Sequence, residues 1–305
     1  YGGQGALDCL LEMGAQINPR NKDGETPLHL ASERGHIVNV RQLVNKGADI
    51  FAADHQGRIP LHASMYYGHW GPAQFFILRN VPVNTTDNAG NTALHIAAMG
   101  GFQRVAKLLL SHGVDYTRKN ANDKTALDIV SKSISETELS SEIPARAYST
   151  YIGRRNTLLF LQGVVIEEYY SAVARHDTAF IERLLEAFPD YKDVMVRGKS
   201  PVYRAAENGF TDIVEILLKH GATPNSIAIT DKSNTPLHLV AKNGDEETAR
   251  VLLKAGAIPE ATNALGETPL DIANKHSRHT VGILLQSIQS ENTEQENEKS
   301  TQTVP

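Results

Sequence analysis

The segment Asp87-Asn-Ala-Gly90-Asn-Thr92-Ala-Leu-His95-Ile-Ala-Ala-Met99-Gly-Gly101 sets a pattern that the rest of the chain repeats. Its core, Thr92-Ala-Leu-His95, has counterparts at Thr26-Pro-Leu-His29, Ile59-Pro-Leu-His62 and Thr125-Ala-Leu-Asp128, each 33 residues from the next. Ser200-Pro-Val-Tyr203, Thr235-Pro-Leu-His238 and Thr268-Pro-Leu-Asp271 follow at spacings of 35 and 33. Gly24, Gly57, Gly90, Gly198 and Gly266 keep step two residues before the first position; Gly35, Gly68, Gly101, Gly209 and Gly244 keep step nine after it. A fixed period of this length is the mark of a stacked repeat architecture.

Each slot has a mechanical reason. Thr suits a helix N-cap, where its hydroxyl can accept a first-turn amide, and Pro fits the first helical turn because its missing N–H would have no partner. The glycine nine residues on ends a short helix with positive φ. A Val/Ile-x-x-Leu-Leu run then gives a second helix with one apolar face. Gly-Ala closes it at Gly14, Gly47, Gly221 and Gly256; Gly113 keeps the glycine, and Asn80 replaces it because Asn also visits the left-handed region. The polar stretch up to Asp-x-x-Gly has turn chemistry and reads as an extended hairpin finger.

The pattern closely resembles the ankyrin repeat, over about residues 1–288. The resemblance implies an all-α repeat protein, a solenoid of helix–turn–helix units with β-hairpin fingers, in which fingers and first helices line a concave groove. It also implies that His29, His62, His95 and His238 hydrogen-bond neighbouring units, and that the groove binds a protein or peptide.

The phase breaks in three places. Residues 1–20 are a truncated half repeat that opens inside a unit, as in a piece of a longer protein, and residues 21–130 form an N-terminal stack. Glu167-Glu-Tyr-Tyr170 lies 42 residues after Thr125 and 33 before Ser200, so nine extra residues fall between. Residues 131–161 are therefore an irregular junction: a polar loop, Ser131–Pro144, then a long helix over about Ala145–Gln162, with the hairpin after it missing or rudimentary. Behind Tyr170, Ala172-Val173, His176 and Leu184-Leu185 return to the expected slots, and residues 162–288 form a C-terminal stack. Residues 289–305, with Glu291, Glu294, Glu296 and Glu298 and almost no apolar residue, read as a disordered acidic tail.

Composition bounds the function. The 305 residues carry 30 Lys and Arg against 35 Asp and Glu, a formal net charge of −5, which gives no basic footprint for nucleic acid. No apolar run approaches the roughly 18 residues of a membrane span. One cysteine, Cys9, excludes an internal disulfide framework and fits a reducing compartment, the cytoplasm or nucleus; its place among leucines reads as a small buried hydrophobe. His276 and His279 could share a helical face but lack a third ligand, so no metal is expected. No phosphate loop or nucleophile–base arrangement appears, so neither an enzyme nor a cofactor is expected. Asn18, Asn84 and Asn225 occupy a finger-base slot that the resemblance marks as open to hydroxylation; a turn-forming role is the preferred reading.

The candidate partner-binding residues are Arg34, Arg58, Tyr66, Tyr67 and Met99. Tyr66 and Tyr67 occupy groove slots between Arg34 of one repeat and Met99 of the next, in a chain with 6% aromatic residues. Tyr, Trp and Arg dominate interface energies. Either the pair anchors a partner, or one ring packs on its neighbour and the other is an ordinary exposed ring. Two functional classes fit: a monomeric, non-catalytic scaffold or adaptor, or the regulatory segment of a larger enzyme, channel or secreted effector.

Overall fold

The computed structural model describes residues 9–10, 12–138 and 145–301. The chain divides into two compact units, residues 1–164 and 165–305. In the first, short helix pairs alternate with turns: α1 (Pro27–Glu33) and α2 (Ile37–Asn45), α3 (Pro60–Tyr66) and α4 (Trp70–Ile77), α5 (Ala93–Gly100) and α6 (Gln103–Ser111), then α7 (Ala126–Glu138). The first helices α1, α3, α5 and α7 pack side by side, and the second helices α2, α4 and α6 form a parallel row behind them. Leu28, Leu61, Leu94 and Leu127 fill the space between the rows together with Val40, Phe76 and Leu109. One helix pair cannot cover its own apolar face, so each unit depends on its neighbours.

The helix α8 (Ala145–Arg175) runs for 31 residues, and the division between the units falls inside it. The second unit continues with α9 (Thr178–Ala187), a short 3-10 turn, and the pairs α10 (Pro201–Asn208) and α11 (Thr211–Lys219), α12 (Pro236–Asn243) and α13 (Glu246–Lys254), α14 (Pro269–Lys275) and α15 (His279–Thr301). Its core holds Tyr169, Tyr203, Ile181, Leu184, Leu237 and Leu285.

The left-handed positions follow the sequence pattern. The glycines at both helix ends and at the finger tips all have positive φ, and Asn80 takes φ 58° in the place of a glycine. His176, nine residues after Glu167, takes φ 59° at the slot where other repeats carry the post-helix glycine.

The fingers are minimal hairpins: among the described residues, antiparallel bridges pair Thr86 with Thr92, Val196 with Lys199 and Ala228 with Asn234. Their tight turns are held by a carboxylate or amide oxygen; Asp87 Oδ1, for example, accepts the N–H of Ala89 (3.0 Å) and Asn91 (2.8 Å). Three expectations need correction. Residues 131–138 of the expected polar loop are helix, because α7 continues to Glu138; the rest of that stretch, residues 139–144, lies outside those described. The long helix does not end near Gln162 but runs to Arg175, and the finger expected to be missing or rudimentary is absent there: from Leu161 to Arg175 there is no proline and no Asx turn, and Leu161, Val165, Tyr169, Ala172 and Val173 keep one face buried. The segment after residue 289 continues α15 as helix to Thr301, and residues 302–305 lie outside those described.

At the N-terminal end, residues 1–8 and 11 also lie outside the described residues, and Cys9 is exposed instead of buried. Its sulfur lies 4.0 Å from that of Met13, and no described element covers this helix face. His276 closes α14 while His279 opens α15, with Ser277 at φ 57° between them, so the two rings do not share a helix.

Candidate functional site

The face that carries the fingers is organised by one buried side chain per repeat. In α5, His95 Nδ1 accepts the Thr92 N–H (3.1 Å) and lies 2.8 Å from the Thr92 hydroxyl. An Nδ1 that accepts an amide has no proton of its own, so Nε2 carries it and donates to the Lys124 carbonyl of the next finger (3.0 Å). His29 reaches Arg58 O (2.8 Å) and His238 reaches Glu267 O (2.9 Å) at the same offset of 29 residues, and His62 reaches Thr85 O (3.0 Å). The inter-repeat role implied for these histidines is therefore the observed one. Burial lowers the pKa of all four imidazoles and keeps them neutral.

The hydroxyl of the cap behaves differently from the simple expectation. Where the third helical residue is His, the threonine O–H turns onto the ring nitrogen. Where it is Asp, the reciprocal box forms: Thr125 Oγ1 donates to Asp128 Oδ2 (2.8 Å) and accepts the Asp128 N–H (3.2 Å). Thr268 and Asp271 repeat this geometry. Aspartate closes its own cap but has no donor for a following finger.

Tyrosine extends the link by a different route. Tyr170, aligned with the histidine slot by phase alone, donates its O–H toward Lys199 O (2.5 Å), again 29 residues on. The Tyr203 hydroxyl donates to Asp231 of the next finger. The repeat containing α8's C-terminal half thus makes the same stacking contact as its regular neighbours.

The finger tips form a second ladder. The N–H groups of His55, Asn88 and Ala121 donate to the carbonyls of Asp23, Gln56 and Ala89, at 3.0, 2.8 and 2.9 Å. At the finger base, Asn84 Oδ1 accepts the Asp115 N–H (2.8 Å) and Asn225 Oδ1 the Ile258 N–H (2.9 Å). Asn18 does the same with Asp49 (3.0 Å), so all three asparagines hold turns.

On this scaffold the five candidate residues part company. Tyr67, at the C-terminus of α3, is 59% exposed; its ring stacks at 6.4 Å on His69. Arg34 is exposed at the end of α1. Tyr66 is 38% exposed, donates to Asp87 Oδ2 (3.2 Å), and lies 5.6 Å beneath the Arg58 guanidinium. Arg58 itself is held by Asp54 (2.6 Å) and Glu25 (3.2 Å), which makes it a scaffold residue more than a rim charge. Met99 is half-buried, and its carbonyl accepts from Arg154 Nε of α8 (2.8 Å). Trp70, adjacent in sequence, belongs to the second-helix row, where Arg104 covers its ring at 4.7 Å.

One contact had no signal in the repeat pattern. A Cβ on Gly153 of α8 would lie 2.9 Å from the carbonyl oxygen of Gly101, and one on Gly101 would lie 2.5 Å from the Arg154 nitrogen. Two glycines let the backbones of α8 and the α5 terminus meet. Only the unusual position of a glycine inside a long helix hinted at it.

The sequence matches the family described as ankyrin repeats (3 copies) over residues 2–71 and 71–138, and that described as ankyrin repeats (many copies) over 217–273. The single ankyrin repeat matches over 197–230. The chain belongs to the ankyrin repeat family. The matched segments leave out residues 139–196, the part that holds the extended α8 and the tyrosine-bridged repeat. A comparison with curated proteins gave no match. Ankyrin repeats are in general protein–protein interaction modules and are typically non-catalytic. No group of three or more His, Cys, Asp or Glu among the described residues could hold a metal ion, and no described helix is long and apolar enough to cross a membrane.

Proposed function

We infer that this ankyrin chain is a non-catalytic scaffold or adaptor, monomeric and resident in the cytoplasm or nucleus. It docks a peptide or protein on the finger-bearing face of residues 21–130. The observation behind this reading is Tyr67: a large aromatic side chain, mostly exposed, on a first helix whose neighbours hold it in one place. Rigid, partly exposed aromatics next to arginine are the residues that carry interface energy. Arg34 supplies the charge, and Tyr66 with Arg58 forms the floor.

The test separates the two tyrosines. Tyr67→Ala should leave the melting curve unchanged and reduce capture of specific partners by about thirtyfold, the equivalent of ~2 kcal/mol. Tyr66→Ala should cost folding stability as well, because it removes the Asp87 bond and uncovers Arg58. A folded Tyr67→Ala variant that captures the same partners in the same amounts would refute the assignment.

A further inference from the structure

The finger row of the second unit departs from that of the first in length, conformation and side-chain character. The step from Ser200 to Thr235 is 35 residues, two longer than the regular step of 33. The extra residues lie in a tip where Lys232 and Ser233 both take positive φ, 53° and 57°. Non-glycine residues in that region carry a conformational cost that the surrounding structure must hold in place, and such positions concentrate at functional sites.

This finger displays apolar side chains outward. Ile229 is 75% exposed and Ile227 52% exposed, and Leu265 on the following tip is 57% exposed. In the ladder, Ile229 occupies the place that His55, Asn88 and Ala121 hold in the first unit. The three tips are in register: Ile229 N–H donates to Gly198 O (2.9 Å) and Ala264 N–H to Lys232 O (2.8 Å). Along the row the outward residues therefore run Arg197, Ile229, Lys232, Leu265, alternating basic and aliphatic.

The charges around this row are unbalanced. Each nearby acid is already engaged: Asp231 by Tyr203, Glu207 by Lys199 (2.7 Å) and Arg204 (3.2 Å), Glu267 by Lys275 (2.6 Å). Arg197, Lys232 and Lys242 are exposed and make no ion pair within 4.0 Å among the described residues; Lys242 acts on Asp231 and Lys232 on Glu267 only at longer range, and the cations around the row outnumber the acids.

We propose that the tips of residues 197–199, 229–233 and 264–265 form a second docking surface, for an extended peptide whose row-facing side chains, every second residue, are alternately carboxylate and aliphatic. An extended chain presents every second residue to one side, so a row that alternates basic and aliphatic groups is matched by the order Glu-x-Leu-x-Glu-x-Leu. A second copy of this chain is the poorer occupant, because a two-fold contact would set Arg197 and Lys232 against their own equivalents. The chain's own Glu-rich segment after Ser290 supplies carboxylates but has no aliphatic residue among them.

The experiment uses the full chain and fluorescein-labelled synthetic peptides that repeat Glu-Ser-Leu-Ser, so that Glu and Leu alternate along one face of the extended chain. Controls replace Glu by Gln, or Leu by Ser. Fluorescence anisotropy should show saturable binding of the Leu/Glu peptides, at least tenfold weaker for either control and weakened by about 0.5 M salt. Ile229→Ser with Leu265→Ser should lower affinity at least about tenfold while the circular dichroism melt stays in place, since both side chains are exposed and the ladder bonds are main-chain. Arg197→Glu with Lys232→Glu should abolish binding of the acidic peptide. Tyr67→Ala should leave it intact, which keeps this surface distinct from the aromatic face. Failure of every alternating peptide to bind overturns the proposal, as does equal binding by the Gln control. So does concentration-dependent dimerisation that Ile229→Ser abolishes, because the row would then be a self-contact.

Discussion

Replacing His95 by alanine tests the unit on which the stack is built. The ring is buried and serves three groups: the Thr92 N–H, the Thr92 hydroxyl and the Lys124 carbonyl. Its removal orphans a buried amide, at about 1–3 kcal/mol, and takes a donor from a carbonyl that water can partly reach, at about 1 kcal/mol. The hydroxyl can rotate to the first-turn amide, as Thr125 does, and costs little. The expected loss is about 3 kcal/mol, roughly 150-fold in the local folding equilibrium. His95→Asn refines the test: its carbonyl can still accept the Thr92 N–H, but its amide is too short to reach Lys124, so about 1 kcal/mol should be lost. Urea unfolding of the full chain gives the global figure, and hydrogen exchange resolved over residues 88–128 gives the local one. His276→Ala, at an exposed ring, should stay within about 0.5 kcal/mol of the parent. If His95→Ala costs no more than that control, or if Asn and Ala lose the same amount, the histidine does not bridge repeats as described.

Acid should weaken the stack through the same side chains. His29, His62, His95 and His238 have folded pKa values below the ordinary 6.5, chiefly from burial. Their contribution is complete above pH 6.5 and is lost as pH falls through 6.5 toward the folded values, because the unfolded chain takes up the protons first. Urea midpoints should therefore drop steadily below pH 6.5, and a flat profile down to about pH 5 would contradict neutral, buried imidazoles. In α8, the two glycines should respond with opposite sign. Gly163→Ala meets nothing within 4 Å and should gain up to about 1 kcal/mol of helix propensity. Gly153→Ala meets the Gly101 carbonyl and should lose about 1–3 kcal/mol to overpacking; a stabilised Gly153→Ala variant would disprove the close approach.

Much of the scaffold was legible because each slot is a local requirement. Positive φ at Asn80 follows from its place in the period, and so does the short helix after each Thr-Pro. For Tyr170 only the phase was legible; that its phenol meets a carbonyl 29 residues on, as the histidines do, came from the structure. What escaped were features set by sequence that is missing. The absence of turn chemistry between Leu161 and Arg175 lets α8 run 13 residues past the end expected near Gln162, through the place where the period of 33 would put a finger. The glycine contact between Gly101 and Gly153 joins residues 52 apart, outside any multiple of the repeat, so no periodic reading could pair them.

The binding face marks the same boundary between periodic and particular information. Tyr66 and Tyr67 are neighbours of one chemical type in slots that phase alone treats alike. Their fates differ because Asp87 stands 21 residues later, where its carboxylate also ties the finger turn and can accept one phenol. Arg58 is then drawn over the ring it was expected to flank, and its charge is spent on Asp54 and Glu25. The residues left over, Tyr67 and Arg34, are those the repeat does not use. The same subtraction in the second unit leaves Arg197, Ile229, Lys232 and Leu265, after Asp231, Glu207 and Glu267 have been taken up by internal partners. In an ankyrin stack the scaffold consumes most polar groups on the finger side. The groups it fails to consume are the ones with chemistry to offer a partner, and here they differ between the two units: aromatic in the first, basic and aliphatic in the second.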